Sequence, residues 1–252
     1  MKVYFDGRYY DKNISVNDKL YLKNKAPRLF KMVFPSENEK DEREFLQRSE
    51  KIQVYQVFFD EKSGRNLDAG FIPLKTDFNH NFENDIILDI WKKRNWTKAK
   101  YVGVLSWRFF EKTKIKSTDI NFNGKDVLCF IPKNYEKFEH PFSRKGFSSV
   151  NEMVRLADEA RLFPFKLNEI KINDIIWCNY WIAPPKIFDD YCTRYLSKAV
   201  EFFKDKSIYD ATEIHRGKAC FSFTFFLEGL FSVYLTKEKI KYNIFLAEKK
   251  ST

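Results

Sequence analysis

The chain of 252 residues lacks the short motifs that identify the common nucleotide-binding folds. It has 8 glycines, and because none of them forms GxGxxG or GxxxxGKS/T, a dinucleotide-binding or P-loop fold is disfavoured. Of its 3 histidines, His80 and His140 have no carboxylate or cysteine at metal-ligand spacing, so a metal triad is not supported. No helix-turn-helix, zinc-finger or RNA-recognition motif is present. A dedicated nucleic-acid reader is therefore not expected.

Cysteines are few, and long apolar runs are absent. The four cysteines are widely spaced, none forms a CxxC pair, and all lie in apolar surroundings: Cys129, Cys178, Cys192 and Cys220. Reduced, buried thiols explain them better than zinc ligation or disulfides. Residues 1–10 contain no apolar signal-peptide core, and no run approaches the roughly 18–20 apolar residues of a membrane span. We expect a soluble, cytoplasmic protein.

Aromatic and basic residues are abundant instead. The chain contains 27 Phe, 13 Tyr and 5 Trp, and its 44% hydrophobic content is ample for a folded core. Its 45 Lys and Arg against 35 Asp and Glu give a net charge of +10. This charge should attract phosphates, nucleic acid or an anionic membrane surface. Because the lysines are spread along the chain and mixed with acids, the charge alone identifies no partner.

Composition divides the chain near residue 50. Residues 1–35 contain short alternating pieces such as Leu20-Tyr21-Leu22, and they predict a small, hairpin-rich extension. Residues 36–51 are almost wholly charged, and Ser36 and Glu39 are placed as a capping box, which indicates an exposed helix or linker. We therefore predict an N-terminal extension and charged linker at residues 1–50 and one α/β domain at 51–252.

From residue 52 onwards, predicted strands alternate with helices. Strands are predicted at 52–59, 101–105, 125–131 and 175–183, and helices at 82–94, 149–162, 185–203 and 221–235. The last helix is expected to be interrupted at Glu228-Gly229. Such alternation is typical of an α/β domain. The aromatic, basic and irregular segment 134–147 is typical of a substrate lid.

The stretch 100–115, KYVGVLSWRFFEKTKI, is the first candidate site. Residues 101–105 form an apolar run that predicts a buried strand, and Ser106-Trp107-Arg108 follow at its end. Ligands of open α/β sheets bind outside the carboxyl ends of strands. A guanidinium binds phosphate oxygens and an indole offers a stacking face, so this strand end suits a ligand with a phosphate and a ring. The alternative is an ordinary strand end with a solvated basic loop.

Two polar residues stand out within apolar segments. Asn179 lies inside WCNYW, and Glu228 lies in the apolar C-terminal helix. Buried amides and carboxylates need hydrogen-bond partners, and they tend to cluster at sites. Each also has a structural explanation, since Asn179 could satisfy a neighbouring loop and Glu228 could form a salt bridge or lie on the helix surface. His215, beside Arg216 and Gly217, is expected in a polar surface loop or lid.

Five segments occur together in a familiar order. They are the helix with DIWK at 89–92, YVGVLSWRFFEKT, GKDVLCFIP, WCNYWIAPPKIFDDYC and FFLEGLFSVYL. In this order they resemble the glycosyltransferase-like proteins of bacterial capsule and surface-polysaccharide gene clusters. The resemblance covers roughly residues 52–235. It implies a GT-A-like fold, a nucleotide-binding sandwich with a mixed central sheet, together with a nucleotide-sugar donor and a glycan or lipid-linked acceptor.

The resemblance also implies how the donor diphosphate is held. Many such enzymes end the strand at 101–106 with an Asp-x-Asp that binds a divalent metal, Mn²⁺ or Mg²⁺, whereas this chain has Ser106-Trp107-Arg108. Metal dependence is therefore in doubt. Our hypothesis is that Arg108, helped by Lys112, neutralises the leaving nucleoside diphosphate in place of a metal ion.

Further roles follow from the same analogy. Asp60, after the first strand of the domain, would hold the nucleotide end of the donor, and Ser106 and Trp107 would also line the donor site. Trp107 and Asn179 would face the sugars. Glu228 is the candidate general base that activates the acceptor hydroxyl. One departure is Gly229, which replaces an arginine of the family's motif.

Two other functions remain open. The missing Asp-x-Asp and the altered Glu-Gly fit a non-catalytic protein that keeps the fold to bind glycans or another partner. The basic composition fits a phage or mobile-element protein that acts on nucleic acid. For a transferase, the same charge would favour a peripheral position at an anionic membrane, where lipid-linked acceptors lie.

Overall fold

The computed structural model describes nine stretches and one single residue of the chain: 3–5, 8–10, 15–25, 51–65, 67–77, 83–132, 142, 148–172, 174–215 and 218–246. The predicted linker at 36–50, nearly all of the predicted lid at 134–147, and His80 and His140 lie outside these residues. None of the helices in this part of the chain is long and apolar enough to cross a membrane.

The strands of the described residues form one large sheet and two short hairpins. In chain order they are β1 (Val3–Phe5), β2 (Arg8–Tyr10), β3 (Ile52–Phe58), β4 (Ile72–Lys75), β5 (Tyr101–Ser106), β6 (Val127–Ile131), β7 (Trp181–Ala183), β8 (Thr212–His215), β9 (Lys218–Phe221) and β10 (Tyr242–Leu246). The hairpins are β1-β2 and β8-β9, and the open six-stranded sheet has the order β10-β6-β7-β5-β3-β4. β7 is antiparallel to both its neighbours, and the other adjacent pairs are parallel. The predicted α/β class with a mixed central sheet is therefore confirmed.

Helices connect these strands. In chain order they are α1 (Val16–Lys25), α2 (Glu61–Gly64), α3 (Glu83–Lys93), α4 (Phe109–Thr113), α5 (Ser148–Glu159), α6 (Pro185–Tyr191), α7 (Ser197–Phe203) and α8 (Ser222–Lys237). A π-helical turn, Cys192–Leu196, joins α6 to α7 without a break. Proline at the first position of α6 suits a helix start because that position needs no N–H donor. α8 is apolar on every side, and it is accordingly buried over most of its length.

The two faces of the sheet bury different partners. Along β5, Val102 and Val104 face a large core that contains the buried sides of α3, α5, α6, α7 and α8. Tyr101 and Leu105 face a smaller core that contains Phe109 of α4 and the loop that follows it. This alternation is the period of two expected of a strand that is buried on both faces. In the larger core, Trp181 of β7 stacks on Phe231 of α8 with ring centroids 4.0 Å apart.

A glycine allows the antiparallel strand to lie close to β5. A Cβ atom added at Gly103 would come within 2.9 Å of the carbonyl oxygen of Trp181 and 3.0 Å of the Ile182 side chain. No side chain fits that space without a backbone shift. Gly103 therefore fixes how closely β7 approaches β5, and with it the loop that leads into β7.

Most predicted elements of the domain are present, but four local predictions were wrong. Of the strand predicted at 175–183, only β7 forms. The helix predicted at 221–235 continues through Glu228-Gly229 without interruption. The residues Leu20–Leu22 lie in α1 rather than in a strand-like piece, although β1 and β2 do form a hairpin. His215 ends β8 rather than lying in a loop.

Candidate functional site

The candidate site lies at the carboxyl ends of the parallel strands. β5 ends there at Ser106, and because β7 is antiparallel, the residues that precede β7 arrive at the same edge. The Ser106 Oγ and Tyr180 Oη atoms are 2.6 Å apart in a buried hydrogen bond, and either could be the donor. Burial and then the nearby Cys178 raise the pKa of Tyr180 well above its ordinary value, so its phenol remains protonated at neutral pH. We call this side of the sheet the carboxyl edge.

The turn before β7 has an unusual backbone. Cys178 and Asn179 have φ values of 60° and 52°, in the left-handed region that residues other than glycine, asparagine and aspartate rarely adopt. The Asn179 side chain is 1% exposed, and neither its amide nitrogen nor its amide oxygen has a hydrogen-bond partner. Leaving a buried donor and acceptor unpaired costs about 1–3 kcal/mol. A strained turn that carries such an amide is typical of a site that awaits a ligand.

Lys112 reaches this turn from α4. Its Nζ atom lies 3.2 Å from the Cys178 Sγ atom and 5.4 Å from the centroid of the Tyr180 ring. The side chain is partly exposed. An ammonium group therefore stands at the boundary between the buried Tyr180–Ser106 pair and solvent, where it can meet an anion.

Two carboxyl groups from different helices complete the site. Glu83 is the first residue of α3, and Glu228 lies in the middle of α8 and is 8% exposed. Burial, followed by the negative charge of Glu228, raises the pKa of Glu83 to about 7, although Lys112 acts in the opposite direction. The charges of both glutamates also act on Tyr180. Because like charges resist ionising together, the charge of Glu228 adds to burial in keeping Glu83 protonated up to near-neutral pH.

These side chains come from four separate segments of the chain. We call the group the edge cluster: Glu83, Ser106, Lys112, Cys178, Asn179, Tyr180 and Glu228. Of the residues predicted as a site, Ser106, Lys112, Asn179 and Glu228 belong to it. The other three predicted residues, Asp60, Trp107 and Arg108, lie at the same edge but in different environments.

Arg108 and Trp107 lie on the exposed side of this edge. The Arg108 guanidinium donates two hydrogen bonds to Glu111, at 3.0 and 2.5 Å, and this pairing raises its pKa. It also lies 5.8 Å from the centroid of the Trp107 ring. Arg108 must therefore break its ion pair with Glu111 before it can bind a phosphate. Lys112 is therefore the more available cation.

Asp60 has a structural role that the sequence did not predict. It is exposed and caps α2, since Oδ1 accepts hydrogen bonds from the Ser63 amide and hydroxyl, each at 2.7 Å. These bonds lower its pKa. Val57 and Ser106 are paired in the sheet, so Asp60 lies near the end of β5. One of its two oxygen atoms is thus already engaged at this edge.

A buried amide holds the end of β5 in place. The Gln56 side chain is fully buried; it donates to the Ser106 carbonyl at 3.2 Å and accepts from the Asp68 amide at 2.7 Å. Asp68 in turn accepts from the Ser117 hydroxyl and amide at 2.6 and 2.7 Å. This network fixes the loop 67–70 against the end of β5. It makes the carboxyl edge a rigid support for the residues of the site.

The side chains at the end of β5 do not fit a divalent metal. Such ions prefer carboxylate and carbonyl oxygens, and the three side chains here are a hydroxyl, an indole and a guanidinium. In the part of the chain that the structure describes, no three His, Cys, Asp or Glu side chains are grouped as a metal site would require. Within the edge cluster, the positive charge of Lys112 acts on Glu83 and would oppose a cation there.

Sequence reasoning missed three members of the edge cluster. Glu83 begins a helix, where acidic residues are common because their charge interacts favourably with the helix dipole. Its position therefore did not indicate a functional role. Tyr180 and Cys178 lie in an aromatic, apolar run that resembles a core strand. The residue that could have indicated this part of the site is Asn179, because a polar side chain within an apolar run suggests a turn.

The comparisons with known proteins give no relative from which to transfer a role. No protein-family model matches the chain, and no curated protein or solved structure matches it. The function is therefore argued from the site itself.

Proposed function

We propose that the protein is a glycosyltransferase of GT-A-like fold that moves a sugar from a nucleotide-sugar donor to a hydroxyl of a glycan or lipid-linked acceptor. The observation that carries the proposal is the convergence of a buried carboxyl group, a half-buried carboxyl group and an ammonium at the carboxyl edge of a mixed α/β sheet. Open α/β sheets bind ligands at this edge. The order of the sequence motifs described above supports the same function.

The edge cluster supplies the groups that sugar transfer needs. A carboxylate of the Glu83–Glu228 pair, which we assign to Glu228, accepts the proton of the acceptor hydroxyl as its oxygen bonds to the anomeric carbon. The bond between that carbon and the diphosphate oxygen breaks, and the nucleoside diphosphate leaves with the electron pair. Burial raises the pKa of Glu83 to about 7, so Glu83 is largely protonated below that pH, and the role of base is therefore assigned to Glu228.

Cations stabilise the leaving group in this reaction. Lys112, and Arg108 once released from Glu111, place positive charge where the diphosphate gains negative charge. Because Ser106-Trp107-Arg108 stands where a family member would carry Asp-x-Asp, the proposal requires no metal at this position. The unpaired amide of Asn179 donates to and accepts from the sugar hydroxyl groups, and the Trp107 ring stacks on a donor ring.

The test is release of free nucleotide from a panel of UDP-, GDP-, TDP- and CMP-sugars, since slow transfer to water needs no acceptor. We expect one donor class to be consumed. Glu228→Gln should stop its consumption, whereas Asp89→Asn, on the exposed side of α3, should not. The proposal would be refuted if no donor were turned over, or if Glu228→Gln turned over the donor as fast as the wild type.

A further inference from the structure

Two large apolar side chains that face solvent lie at the carboxyl edge. Among the described residues two are exposed, Phe110 at 38% and Leu246 at 65%. Phe110 lies in α4, four residues after the end of β5, and Leu246 is the last residue of β10. β10 lies three places from β5 in the sheet, which is roughly 14 Å at about 4.8 Å per strand. Both side chains therefore project from the same edge of the sheet.

Basic residues surround the Phe110 ring. The Nζ atoms of Lys114 and Lys116 lie 5.8 and 5.6 Å from its centroid, and both lysines are exposed. The segment 108–116 carries four cationic residues and one acidic residue. We call Phe110, Lys114 and Lys116 the Phe110 patch. Single exposed apolar residues are common on protein surfaces, but an aromatic ring between ammonium groups has the composition of a surface that inserts between charged headgroups.

The other side of α4 explains why this patch is rigid. Phe109 is fully buried and packs edge-on against Phe71, Phe130 and Tyr180. α4 is thus anchored to the smaller core by one ring while it presents the next ring to solvent. Lys114 ends the helix with a φ of 61°, and this turn brings Lys116 back over Phe110.

We propose that the Phe110 patch docks the protein on an anionic phospholipid surface, with the Phe110 ring inserted among the headgroups and the two lysines paired with lipid phosphates. Charge complementarity selects this partner, because a neutral apolar groove of another protein would leave both ammonium groups unpaired. The docked orientation would turn the carboxyl edge towards the membrane. The inference depends on the surface alone and not on the transfer chemistry.

The test is cosedimentation of the full chain with vesicles of phosphatidylcholine alone and of phosphatidylcholine mixed with phosphatidylglycerol. We expect binding to the anionic vesicles only, weakened by salt. Each lysine near such a surface strengthens binding roughly fivefold, so Lys114→Glu with Lys116→Glu should weaken binding by more than about tenfold. Phe110→Ser should weaken it a few-fold without any change of charge.

The control reverses the same number of charges elsewhere. Lys186 and Lys198 are exposed on α6 and α7, and Lys186 follows the end of β7, at the opposite edge of the sheet. Lys186→Glu with Lys198→Glu should weaken binding far less than the patch variant. The proposal would be overturned by an equal loss of binding in both double variants, by unchanged binding of Phe110→Ser, or by no binding to anionic vesicles. Complete competition by a single-stranded oligonucleotide would also overturn it. No nucleotide sugar is present, so the result is separate from the test of transfer.

Discussion

The pKa values of two half-buried carboxyl groups, Glu238 and Glu83, are shifted in opposite directions. Glu238, at the end of α8, accepts hydrogen bonds from Arg194 at 2.8 Å and from the Tyr195 hydroxyl at 2.7 Å, and its pKa is lowered, chiefly by Arg194. The pKa of Glu83 is raised, chiefly by burial and further by the negative charge of a second carboxyl group, Glu228. The first arrangement stabilises the fold, whereas the second costs stability. A cost of this kind is retained most readily where the groups have a function.

The same contrast holds for the surroundings of the two groups. Arg194 also pairs with Asp190 at 3.0 Å, so the Arg194–Glu238 network is closed. The edge cluster contains an unpaired amide, two consecutive left-handed residues and a lysine whose ammonium nitrogen lies 3.2 Å from a thiol. Closed networks hold helices together, and open ones offer groups to a ligand.

The largest expected effect is a difference in donor turnover between variants of the edge cluster and variants of the Arg194–Glu238 network. Glu228→Gln removes the general base and should lower donor turnover by about 10²–10⁴-fold. Glu238→Gln should leave turnover within about twofold of the wild type, because it lies outside the edge cluster. Steady-state release of free nucleotide measures both. If Glu238→Gln were as inactive as Glu228→Gln, the two regions would not differ in function.

The second effect is on stability and depends on pH. A carboxyl group with a pKa raised from 4.5 to about 7 favours the folded state below about pH 4.5, and this contribution is lost as pH rises to about 7. The loss is at most about 3 kcal/mol, at 1.36 kcal/mol per pKa unit. Glu83→Gln should therefore flatten this part of the curve of unfolding free energy against pH, measured by urea denaturation.

Glu238 should behave in the opposite sense. Its lowered pKa means that its contribution is present above its ordinary pKa and is lost as pH falls below it. Glu238→Gln should lower stability at neutral pH and should leave the decline between about pH 4.5 and 7 unchanged. A flat curve for the wild type over that range would contradict the raised pKa of Glu83.

A smaller effect comes from a matched pair of tyrosines. Tyr195→Phe removes a hydrogen bond to a charged acceptor and should cost about 1.5 kcal/mol of folding free energy with no loss of turnover. Tyr180→Phe removes the bond to Ser106, should cost about 1 kcal/mol, and should also lower turnover. Chemical denaturation and donor turnover, measured on both variants, check this. Equal turnover of the two would place Tyr180 outside the site.

The smallest effect concerns Asn179. Asn179→Gly keeps the left-handed backbone at φ 52° and removes an unpaired amide, so stability should be unchanged or rise by about 1 kcal/mol. Donor affinity should nevertheless fall about tenfold. Arg161→Gly, at an exposed left-handed position with φ 51°, is the control and should not change affinity. A large loss of stability in Asn179→Gly would show that the amide is structural.

The spacing of apolar residues in the sequence correctly predicted the elements in which that spacing distinguishes a helix from a strand. β3, β5 and β6 were recognised as apolar runs, and α3, α5 and the helix from Pro185 onwards as stripes with helical spacing. β10, with its partly exposed residues, and the short β4 were not recognised. The run 175–183 was predicted as a strand throughout because its aromatic residues are buried whether they lie in a strand or in a turn.

The site was only partly predictable for a related reason. Arg108 and Lys112 follow a strand end, so a general rule for α/β sheets located them, and Glu228 stood out against an apolar helix. Glu83 could not be identified in the same way, because its raised pKa comes from burial in the folded protein and from the charge of Glu228, 145 positions away in the chain. A property created by contacts between distant segments has no signal in either segment alone.

The measurement that tests the central claim most directly is thermal unfolding of the wild type and Lys112→Met with UDP, GDP, TDP and CMP, each in EDTA. A ligand at a hundred times its dissociation constant stabilises the fold by about 2.7 kcal/mol, which raises the midpoint by a few degrees. We expect one nucleotide to stabilise the wild type and to have little effect on Lys112→Met. No shift with any nucleotide, or an equal shift in both proteins, would contradict a nucleotide-sugar site at the carboxyl edge.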